Sequence, residues 1–315
     1  MSSPIRVAIV GATGRTGNST VNGLLGSNTK FEITALARPS SLDSDANKAL
    51  KDRGVRVIPA DLSGRKEDLV EILRGTDVVI SCIVWTSLED DIPLAEAAKD
   101  AGVKRFVPCA FGTPAARGVM DMNDRKLDNL AAIQRIRLPY TVIHVGWWMR
   151  QAIYSLPSGR TKHAIHELLD FISGDGTVPL ALTDLEDVGK YVAKIIADPA
   201  TVNKKVMAYT EVLTLNQAAD LLDEISGEKA IRNYVSADKI REGIASARKT
   251  LSEDPDSKPA LFQKTQNQYF DSMGVRGDNT PENARYLGYL DFKELYPDVK
   301  GKSMRTVIEE VLEGH

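Results

Sequence analysis

A glycine-rich turn near the N-terminus combines residue types and a spacing that suit a chemical role. Its glycines follow a G-x-x-G-x-x-G pattern, directly after an apolar run and directly before a helical pattern. Glycine allows the backbone to approach a pyrophosphate, whose charge is stabilised by the N-terminal end of the following helix. The predicted cofactor-binding residues of this turn are Gly11, Thr13, Gly14, Arg15, Thr16 and Gly17. The alternative is a glycine turn without a ligand.

The residues after the second predicted strand indicate which dinucleotide would fit this turn. A protein that prefers NAD places Asp or Glu here to accept a hydrogen bond from the ribose 2′-hydroxyl. This chain has Arg38-Pro39-Ser40 instead. A guanidinium suits a 2′-phosphate, so the predicted cofactor is NADPH/NADP, bound by Arg38 and Ser40 with Arg15 nearby. A solvated surface arginine is the alternative for Arg38.

A single carboxylate follows the third predicted strand, at Asp61. It is predicted to approach the adenine of the cofactor, and capping of a local turn is the alternative.

Composition narrows the class of partner. The chain has 315 residues, 43% hydrophobic and 26% charged, with a formal net charge of -3, which is typical of a globular protein and attracts neither nucleic acid nor an anionic membrane. Two cysteines cannot form a disulfide framework, and His163 with His166 lacks further metal ligands. We therefore predict a cytoplasmic monomer or homodimer with a small-molecule aromatic substrate, no metal, no nucleic-acid partner and no membrane partner.

Short β-branched runs alternate with helical patterns over the first half of the chain, which predicts parallel strands joined by crossover helices. The predicted strands are Arg6 to Val10, Glu32 to Ala37, Val55 to Pro59, Val78 to Ile83, Arg105 to Pro108 and Thr141 to Val145. The predicted fold class is α/β, a doubly wound Rossmann sheet, mostly parallel, with a smaller, mainly helical C-terminal substrate region.

Later elements are predicted from capping boxes and composition. Thr183 with Glu186 and Thr214 with Gln217 each predict the start of a helix, and Val206 to Thr210 predicts a strand between them. The polar stretch 252–283 is either a lid or a long surface connection. We predict an NADP-binding domain over residues 1–155, with 178–212 returning to it, and a substrate-binding region over 156–177 and 213–315.

Several motifs together resemble one known family. Besides the glycine turn, they are Ala101-Gly102-Val103-Lys104-Arg105-Phe106-Val107-Pro108, Phe111-Gly112, Lys126 thirteen residues ahead of Pro139, and Leu295-Tyr296-Pro297-Asp298-Val299-Lys300. Over the whole chain the sequence is similar to the NmrA-like and isoflavone reductase group of atypical short-chain reductases, which includes phenylcoumaran benzylic ether and pinoresinol reductases.

This resemblance implies that Lys126 lies beside the nicotinamide and acts as catalytic acid or base, or orients a substrate hydroxyl. The residue pattern agrees, because a lysine in the first turns of a helix from Asp124 to Ile136 would point toward the carboxyl edge of the sheet, where ligands bind. A solvated helix lysine is the alternative. Cys82 and Phe111, at the ends of the fourth and fifth strands, complete the predicted cofactor contacts.

Aromatic residues follow the sixth strand, where the resemblance implies that the substrate pocket begins. The predicted substrate residues are Cys109, Gly146, Trp147, Trp148 and Met149. Aromatic walls suit a planar ligand, whereas ordinary core packing is the alternative for Trp147, Trp148 and Met149. One departure concerns the substrate: the family usually has Ser-Glu where this chain has Cys109-Ala110.

The predicted function is that of an NADPH-dependent reductase transferring hydride to an aromatic or conjugated small molecule, such as an isoflavone, lignan or quinone. The alternative is a non-catalytic NADP-binding sensor or regulator of the NmrA-like type. Lys126 favours the enzyme, whereas the Cys109-Ala110 departure keeps the sensor open.

Overall fold

The computed structural model describes residues 3–164 and 170–314. The chain divides into two compact units. Unit 1 comprises Met1–Phe111, Arg125–His144 and Leu185–Val206, and unit 2 comprises Gly112–Asp124, Val145–Asp184 and Met207–His315. Residues 145–155, assigned by sequence to the cofactor domain, thus pack in unit 2. This division is one of packing, and the assignment of ligands to domains stays a prediction.

The strands of the described residues are numbered in chain order. They are β1 (Ile5–Val10), β2 (Phe31–Ala37), β3 (Arg56–Pro59), β4 (Val78–Ser81), β5 (Arg105–Val107), β6 (Thr141–His144), β7 (Trp147–Trp148), β8 (Ile172–Ser173), β9 (Pro179–Thr183), β10 (Lys204–Met207), β11 (Glu211–Thr214), β12 (Tyr234–Val235) and β13 (Tyr289–Asp291).

The α-helices of the same residues are α1 (Arg15–Leu25), α2 (Asp45–Asp52), α3 (Lys66–Leu73), α4 (Asp91–Asp100), α5 (Asp121–Arg135), α6 (Leu185–Ala197), α7 (Leu215–Ser226), α8 (Ala237–Glu253), α9 (Lys258–Asp271), α10 (Pro281–Tyr286), α11 (Phe292–Leu295) and α12 (Met304–Leu312). Short 3-10 helices span Pro39–Ser41, Trp85–Asp90, Met149–Ala152 and Pro199–Thr201, and a π-helical turn spans Ser272–Arg276.

A five-stranded parallel sheet forms the centre of unit 1, in the order β3-β2-β1-β4-β5. Val7 of β1 is in register with Ile33 on one side and Val78 on the other. The strand order reverses between β1 and β4, and the carboxyl ends of strands at such a reversal form the ligand-binding edge of doubly wound sheets. The predicted doubly wound α/β arrangement is confirmed.

Two helix pairs pack in unit 1. Leucines of α3 and α4 share a core cluster with β1, in which Leu69, Leu73 and Leu94 are almost fully buried. Helix α1 meets α6 through glycines: a Cβ on Gly23 would lie 1.9 Å from the carbonyl carbon of Gly189. Ser19 fixes this contact, because its hydroxyl accepts the Gly189 N–H at 3.0 Å and donates to the Glu186 carbonyl at 3.2 Å.

The sixth predicted strand joins unit 1 by a different pairing. A single parallel bridge between Phe106 and Tyr140 links its start to β5, and β6 itself lies beside β10 in a separate sheet. The strand predicted over Val206 to Thr210 is wrong in its bounds, since β10 ends at Met207. Thr210 instead donates its N–H to the Leu182 carbonyl, and β11 then pairs with β9 in antiparallel register.

Unit 2 contains helices α7 to α12 around its own apolar core, to which Met149, Tyr154, Leu222 and Val307 contribute fully buried side chains. Strand β9 pairs with β7 in parallel and with β11 in antiparallel register. The polar stretch 252–283 is largely helical, since it contains the last two residues of α8, all of α9, the π-helical turn and the start of α10.

Within the described ranges, none of the helices has the length and apolar character needed to cross a membrane. The same residues contain no group of three or more potential metal ligands. Of the histidine pair considered for a metal, His163 is exposed and His166 lies outside the described residues.

Candidate functional site

The glycine turn is fixed by close backbone contacts at its two ends. Gly11 has φ +75°, and a Cβ there would lie 2.4 Å from the Cys82 carbonyl oxygen. A Cβ on Gly17 would lie 2.0 Å from the Gly11 carbonyl oxygen. The lack of a side chain at Gly11 therefore lets the turn pack against the end of β4, and the lack of one at Gly17 lets the start of α1 pack against the turn.

The middle of the turn is open. Gly14 is exposed, and a Cβ there would meet only the Gly11 carbonyl oxygen, at 3.3 Å. Gly14 is the N-cap of α1, which has neither a side-chain cap nor an acidic residue in its first turn. The first N–H groups of a helix have no acceptor within the helix and carry a partial positive charge. The geometry thus fits a pyrophosphate, and binding of one by these residues stays a prediction.

Cationic and hydroxyl side chains lie beside the turn at the end of β2. Arg38, Ser40 and Arg15 are all exposed. The Arg38 carbonyl accepts a hydrogen bond from the Ser41 hydroxyl at 3.1 Å, and Arg38 is the N-cap of the short helix Pro39–Ser41. These residues suit a phosphate monoester, and their contact with a cofactor stays a prediction.

Asp61 caps a local turn, which was the alternative to its predicted contact with adenine. Its Oδ1 accepts hydrogen bonds from the Ser63 hydroxyl at 2.7 Å and the Ser63 N–H at 3.0 Å. These bonds lower the pKa of the exposed Asp61 carboxyl. Contact of Asp61 with adenine stays a prediction.

The ends of β4 and β5 carry the two cysteines. Burial raises the pKa of the Cys82 thiol, and the nearby Cys109 and Asp91 raise it further. Burial also raises the pKa of Cys109 to about 12, against the lowering effect of Lys126. The Cys109 Sγ donates to the Ile83 carbonyl at 3.1 Å. Both thiols are therefore neutral at physiological pH and are weak nucleophiles.

Lys126 lies near the start of α5 and is partly buried. Two neighbours of Lys126 on α5 contact the 3-10 helix Trp85–Asp90. Arg125 pairs with both carboxylate oxygens of Glu89, and Asn129 donates to the Leu88 carbonyl at 2.6 Å. Lys126 and Asn129 are three residues apart and share a helix face. Helix α5 starts at Asp121, three residues before the predicted start at Asp124.

Asp91, which the sequence did not single out, lies at the centre of these contacts. It is 1% exposed, and its Oδ2 accepts the Cys109 N–H at 3.0 Å. Burial raises the pKa of Asp91 to about 6, opposed by the Ser81 hydroxyl, the Cys109 N–H, the Asn129 amide and the Lys126 ammonium. We call Ser81, Asp91, Cys109, Lys126 and Asn129 the Asp91 site.

No local signal reveals Asp91. It ends the run Glu89-Asp90-Asp91 at the start of α4, where acidic residues ordinarily lie in solvent. The segment that carries Asp91 contacts α5 through Leu88, whose carbonyl accepts from Asn129, a residue 41 positions away.

The predicted substrate residues other than Cys109 lie in unit 2. Gly146 has φ +71° and packs against the Ala181 carbonyl, where a Cβ would lie 2.4 Å from the oxygen. Met149 is fully buried, as the core-packing alternative requires. Trp147 and Trp148 are partly buried.

Trp147 packs against aromatic residues of α9 in unit 2. Its ring lies 5.9 Å from that of Tyr269 and 6.3 Å from that of Phe270. Its Nε1 is buried and has no hydrogen-bond partner among the described residues.

The structure thus brings part of the predicted site together within unit 1. The glycine turn rests on Cys82, and Cys82 lies within electrostatic reach of Cys109 and Asp91, which in turn lie near Lys126. Phe111 is buried two residues beyond Cys109. Arg38, Ser40 and Asp61 lie at the ends of β2 and β3 instead, as expected for groups that would bind the adenosine half of a dinucleotide.

Comparison with known proteins identifies the family. The model of the NmrA-like family matches residues 4–274. The chain is 49% identical to asnovolin J 5′,6′-dehydrogenase nvfM of Aspergillus novofumigatus, covering 100% of this chain and 97% of that protein. It is 28% identical to probable pinoresinol-lariciresinol reductase 3 of Arabidopsis thaliana, covering 98% and 97%.

A solved structure confirms the fold over the same length. The leucoanthocyanidin reductase–NADPH binary complex from Vitis vinifera superposes with a TM-score of 0.80 at 23% identity, covering 98% of this chain and 99% of that one. The resemblance stated from the sequence motifs and the predicted Rossmann fold class are both confirmed. On the family match and on 49% identity over its whole length, the chain belongs to the NmrA-like family.

Proposed function

We propose that this protein is an NADPH-dependent oxidoreductase that transfers hydride between the cofactor and an aromatic or conjugated small molecule, with Lys126 as the proton donor or acceptor. The observation that carries the proposal is the convergence of two features at neighbouring strand ends. The glycine turn packs on Cys82 at the end of β4, and Lys126 lies within electrostatic reach of Cys109 at the end of β5.

The residues present fit the cofactor. Gly14 leaves the approach to the first N–H groups of α1 open, and those groups would hold the pyrophosphate. Arg38, Ser40 and Arg15 would hold the 2′-phosphate, and no Asp or Glu stands at the end of β2 to favour a 2′-hydroxyl. When bound, the nicotinamide supplies or accepts the hydride.

Lys126 would manage the proton that accompanies hydride transfer. Its ammonium has the donors to protonate or orient a substrate oxygen. The thiols of Cys82 and Cys109 are poorly suited to this role, because burial raises the pKa of each.

The names of the relatives support an oxidoreductase and leave both directions of reaction open. One relative is named a dehydrogenase and the other a reductase. The ring cluster of Trp147, Tyr269 and Phe270 supports an aromatic or conjugated substrate.

The test is an assay in both directions. NADPH oxidation and NADP reduction are followed at the nicotinamide absorbance with a panel of isoflavones, lignan ethers, quinones and other conjugated carbonyl compounds and alcohols. We expect turnover with at least one class and a loss of about 100-fold or more in Lys126→Ala with NADPH binding retained. Lys99→Ala, which removes an exposed lysine at the far end of α4, is the control.

Two outcomes would contradict the proposal in different ways. Turnover that survives in Lys126→Ala would remove the proton-transfer role. Tight NADPH binding without turnover on any compound would favour the sensor of a protein partner instead.

A further inference from the structure

The residue before Lys126 on α5 is held by three hydrogen bonds to one segment. Arg125 donates from Nε and Nη2 to the two carboxylate oxygens of Glu89, at 2.7 and 2.6 Å. Its Nη1 donates to the Trp85 carbonyl at 3.3 Å. A bidentate pair of guanidinium and carboxylate fixes the orientation of the two partners as well as their distance. The turn of α5 that carries Lys126 is therefore held at a defined place on the 3-10 helix Trp85–Asp90.

A second contact holds the same face of α5 one turn later. Asn129 is 4% exposed, and its amide donates to the Leu88 carbonyl at 2.6 Å. Arg125 and Asn129 are four residues apart and share a helix face. Lys126 thus follows the first contact by one residue and precedes the second by three. All of these residues belong to unit 1.

The segment that receives these contacts follows β4 and is irregular. Within the helix Trp85–Asp90, Ser87 has the non-helical angles φ -121° and ψ 30°. Helix α5 contacts the segment on both sides of this kink, at Trp85 before it and at Leu88 and Glu89 after it. The contacts therefore join α5 to the segment as a whole and not to one end of it.

The Arg125–Glu89 pair lies at the surface. The Arg125 side chain is 33% exposed and the Glu89 side chain is 61% exposed. Ion pairs with this exposure contribute little to the free energy of unfolding. Glu89 is nevertheless ionised at physiological pH, because the hydrogen bond from Arg125 lowers the pKa of its carboxyl. The pair is thus suited to orienting α5 without a large effect on stability.

We propose that Arg125 and Glu89 are positioning residues of the reaction: their bidentate pair orients the first turns of α5 so that the Lys126 ammonium reaches the reacting substrate oxygen. This inference rests on the proposed function, because Lys126 is the group that the pair positions. A small displacement of a reacting group costs much of the rate. Loss of the pair therefore lowers kcat and leaves stability and cofactor affinity in place.

The first test needs no substrate. Reductive methylation of lysines is followed by mass spectrometry with and without saturating NADP. In the unmodified protein NADP should slow the labelling of Lys126 and leave that of Lys99, which is exposed at the far end of α4, unchanged. Arg125→Ala should lose most of this protection, with the Kd for NADP unchanged. Full protection of Lys126 in Arg125→Ala overturns the inference.

The second test is a double-mutant cycle on turnover. Arg125→Ala should lower kcat by about tenfold and Glu89→Ala by about threefold, since Arg125 keeps its bond to the Trp85 carbonyl in the latter. The double variant should lose no more than Arg125→Ala alone, because the two residues act as one pair. The KM for NADPH and the midpoint of urea denaturation should stay unchanged in all three. Losses of kcat that multiply, or that accompany a lowered urea midpoint, overturn the inference.

Two further variants separate geometry from charge. Arg125→Lys keeps the positive charge beside Lys126 but lacks the planar fork, so it should show most of the kcat loss. Full activity in Arg125→Lys overturns the inference in favour of a charge effect. Lys66→Ala is the control, because it breaks an exposed ion pair of 2.7 Å with Asp100 and should keep kcat. If Arg125→Ala does not fold, Arg125→Lys and Glu89→Ala decide.

The two proposals fail separately. If NADP does not protect Lys126 in the unmodified protein, or if turnover survives in Lys126→Ala, the role of Lys126 in the proposed function is overturned. If protection and Lys126-dependent turnover both survive intact in Arg125→Ala, the positioning role of the pair is overturned and the proposed function stands.

Discussion

The glycine turn and the Asp91 site occupy the same edge of one sheet but are built in opposite ways. The turn consists of seven consecutive residues, and its predicted binding groups are backbone N–H groups, with the exposed Arg15 and Arg38 nearby. The Asp91 site assembles buried and partly buried side chains from four separate segments. The comparison shows that one edge can combine a tightly packed, solvent-facing glycine turn with a buried carboxyl whose pKa is raised.

The largest effect is expected for Gly11→Ala, a variant that tests whether Gly11 determines the packing of the turn. Gly11→Ala would combine a left-handed backbone with a Cβ 2.4 Å from the Cys82 carbonyl oxygen. We expect the free energy of unfolding to fall by about 2–5 kcal/mol in urea denaturation. Gly14→Ala is the matched control, because its φ is -74° and its closest contact is 3.3 Å. Equal destabilisation by both would contradict the distinction.

The second prediction concerns the buried site and stability. The pKa of Asp91 is raised to about 6 in the folded protein. Between about pH 4 and 6 the folded state therefore binds more protons than the unfolded state, so this group's contribution to stability falls as the pH rises. Relative to the unmodified protein, Asp91→Asn should gain about 2–3 kcal/mol between pH 4 and 7.5 in urea denaturation.

Asp61→Asn supplies the opposite case. The pKa of Asp61 is lowered by its hydrogen bonds from Ser63, so this variant should lose relative stability over the acidic range as the pH rises. A difference between Asp91→Asn and the unmodified protein that stays constant from pH 4 to 7.5 would show that Asp91 titrates normally.

A third, smaller effect concerns cofactor choice at the exposed side of the edge. Arg38→Ala should raise the Kd for NADPH by about tenfold, measured by calorimetry, because a charge-assisted contact with the 2′-phosphate is lost. The Kd for NADH should change little. Arg65→Ala, which removes an exposed arginine paired with Asp68, is the control. An equal rise in the Kd for NADPH and for NADH would contradict the assignment of Arg38 to the 2′-phosphate.

The smallest effect separates the two roles of Asp61. If Asp61 contacts the adenosine as well as Ser63, Asp61→Ala should weaken NADPH and NADH equally, by about two- to fivefold. Unchanged affinity for both would leave Asp61 with its turn contacts alone.

Local chemistry made half of this edge predictable from sequence. The glycine turn could be predicted because its strand, turn and helix are consecutive.

The two predicted capping boxes show the limit of prediction from local sequence. Thr214 and Gln217 form the predicted box. The box predicted for Thr183 is wrong, since α6 begins at Leu185 and the Thr183 hydroxyl donates to the Ala208 carbonyl at 3.4 Å. Thr183 already belongs to β9, and sheet pairing determines its partners.

Only part of the Asp91 site could be predicted from sequence, because its residues come from separate segments of the chain. Lys126 was found through family motifs, whereas the burial of Asp91 arises from the contact of α5 with the segment before α4. No spacing within one segment encodes that contact.

The glycine contact between α1 and α6 also has a consequence for how the protein is made. The helix that begins at the glycine turn packs, through Gly23 and Ser19, on residues near Gly189. During synthesis, a nascent chain that ends before Leu185 lacks this support, although the turn and the five sheet strands have already been translated. The glycine turn therefore gains this support only after α6 has been translated.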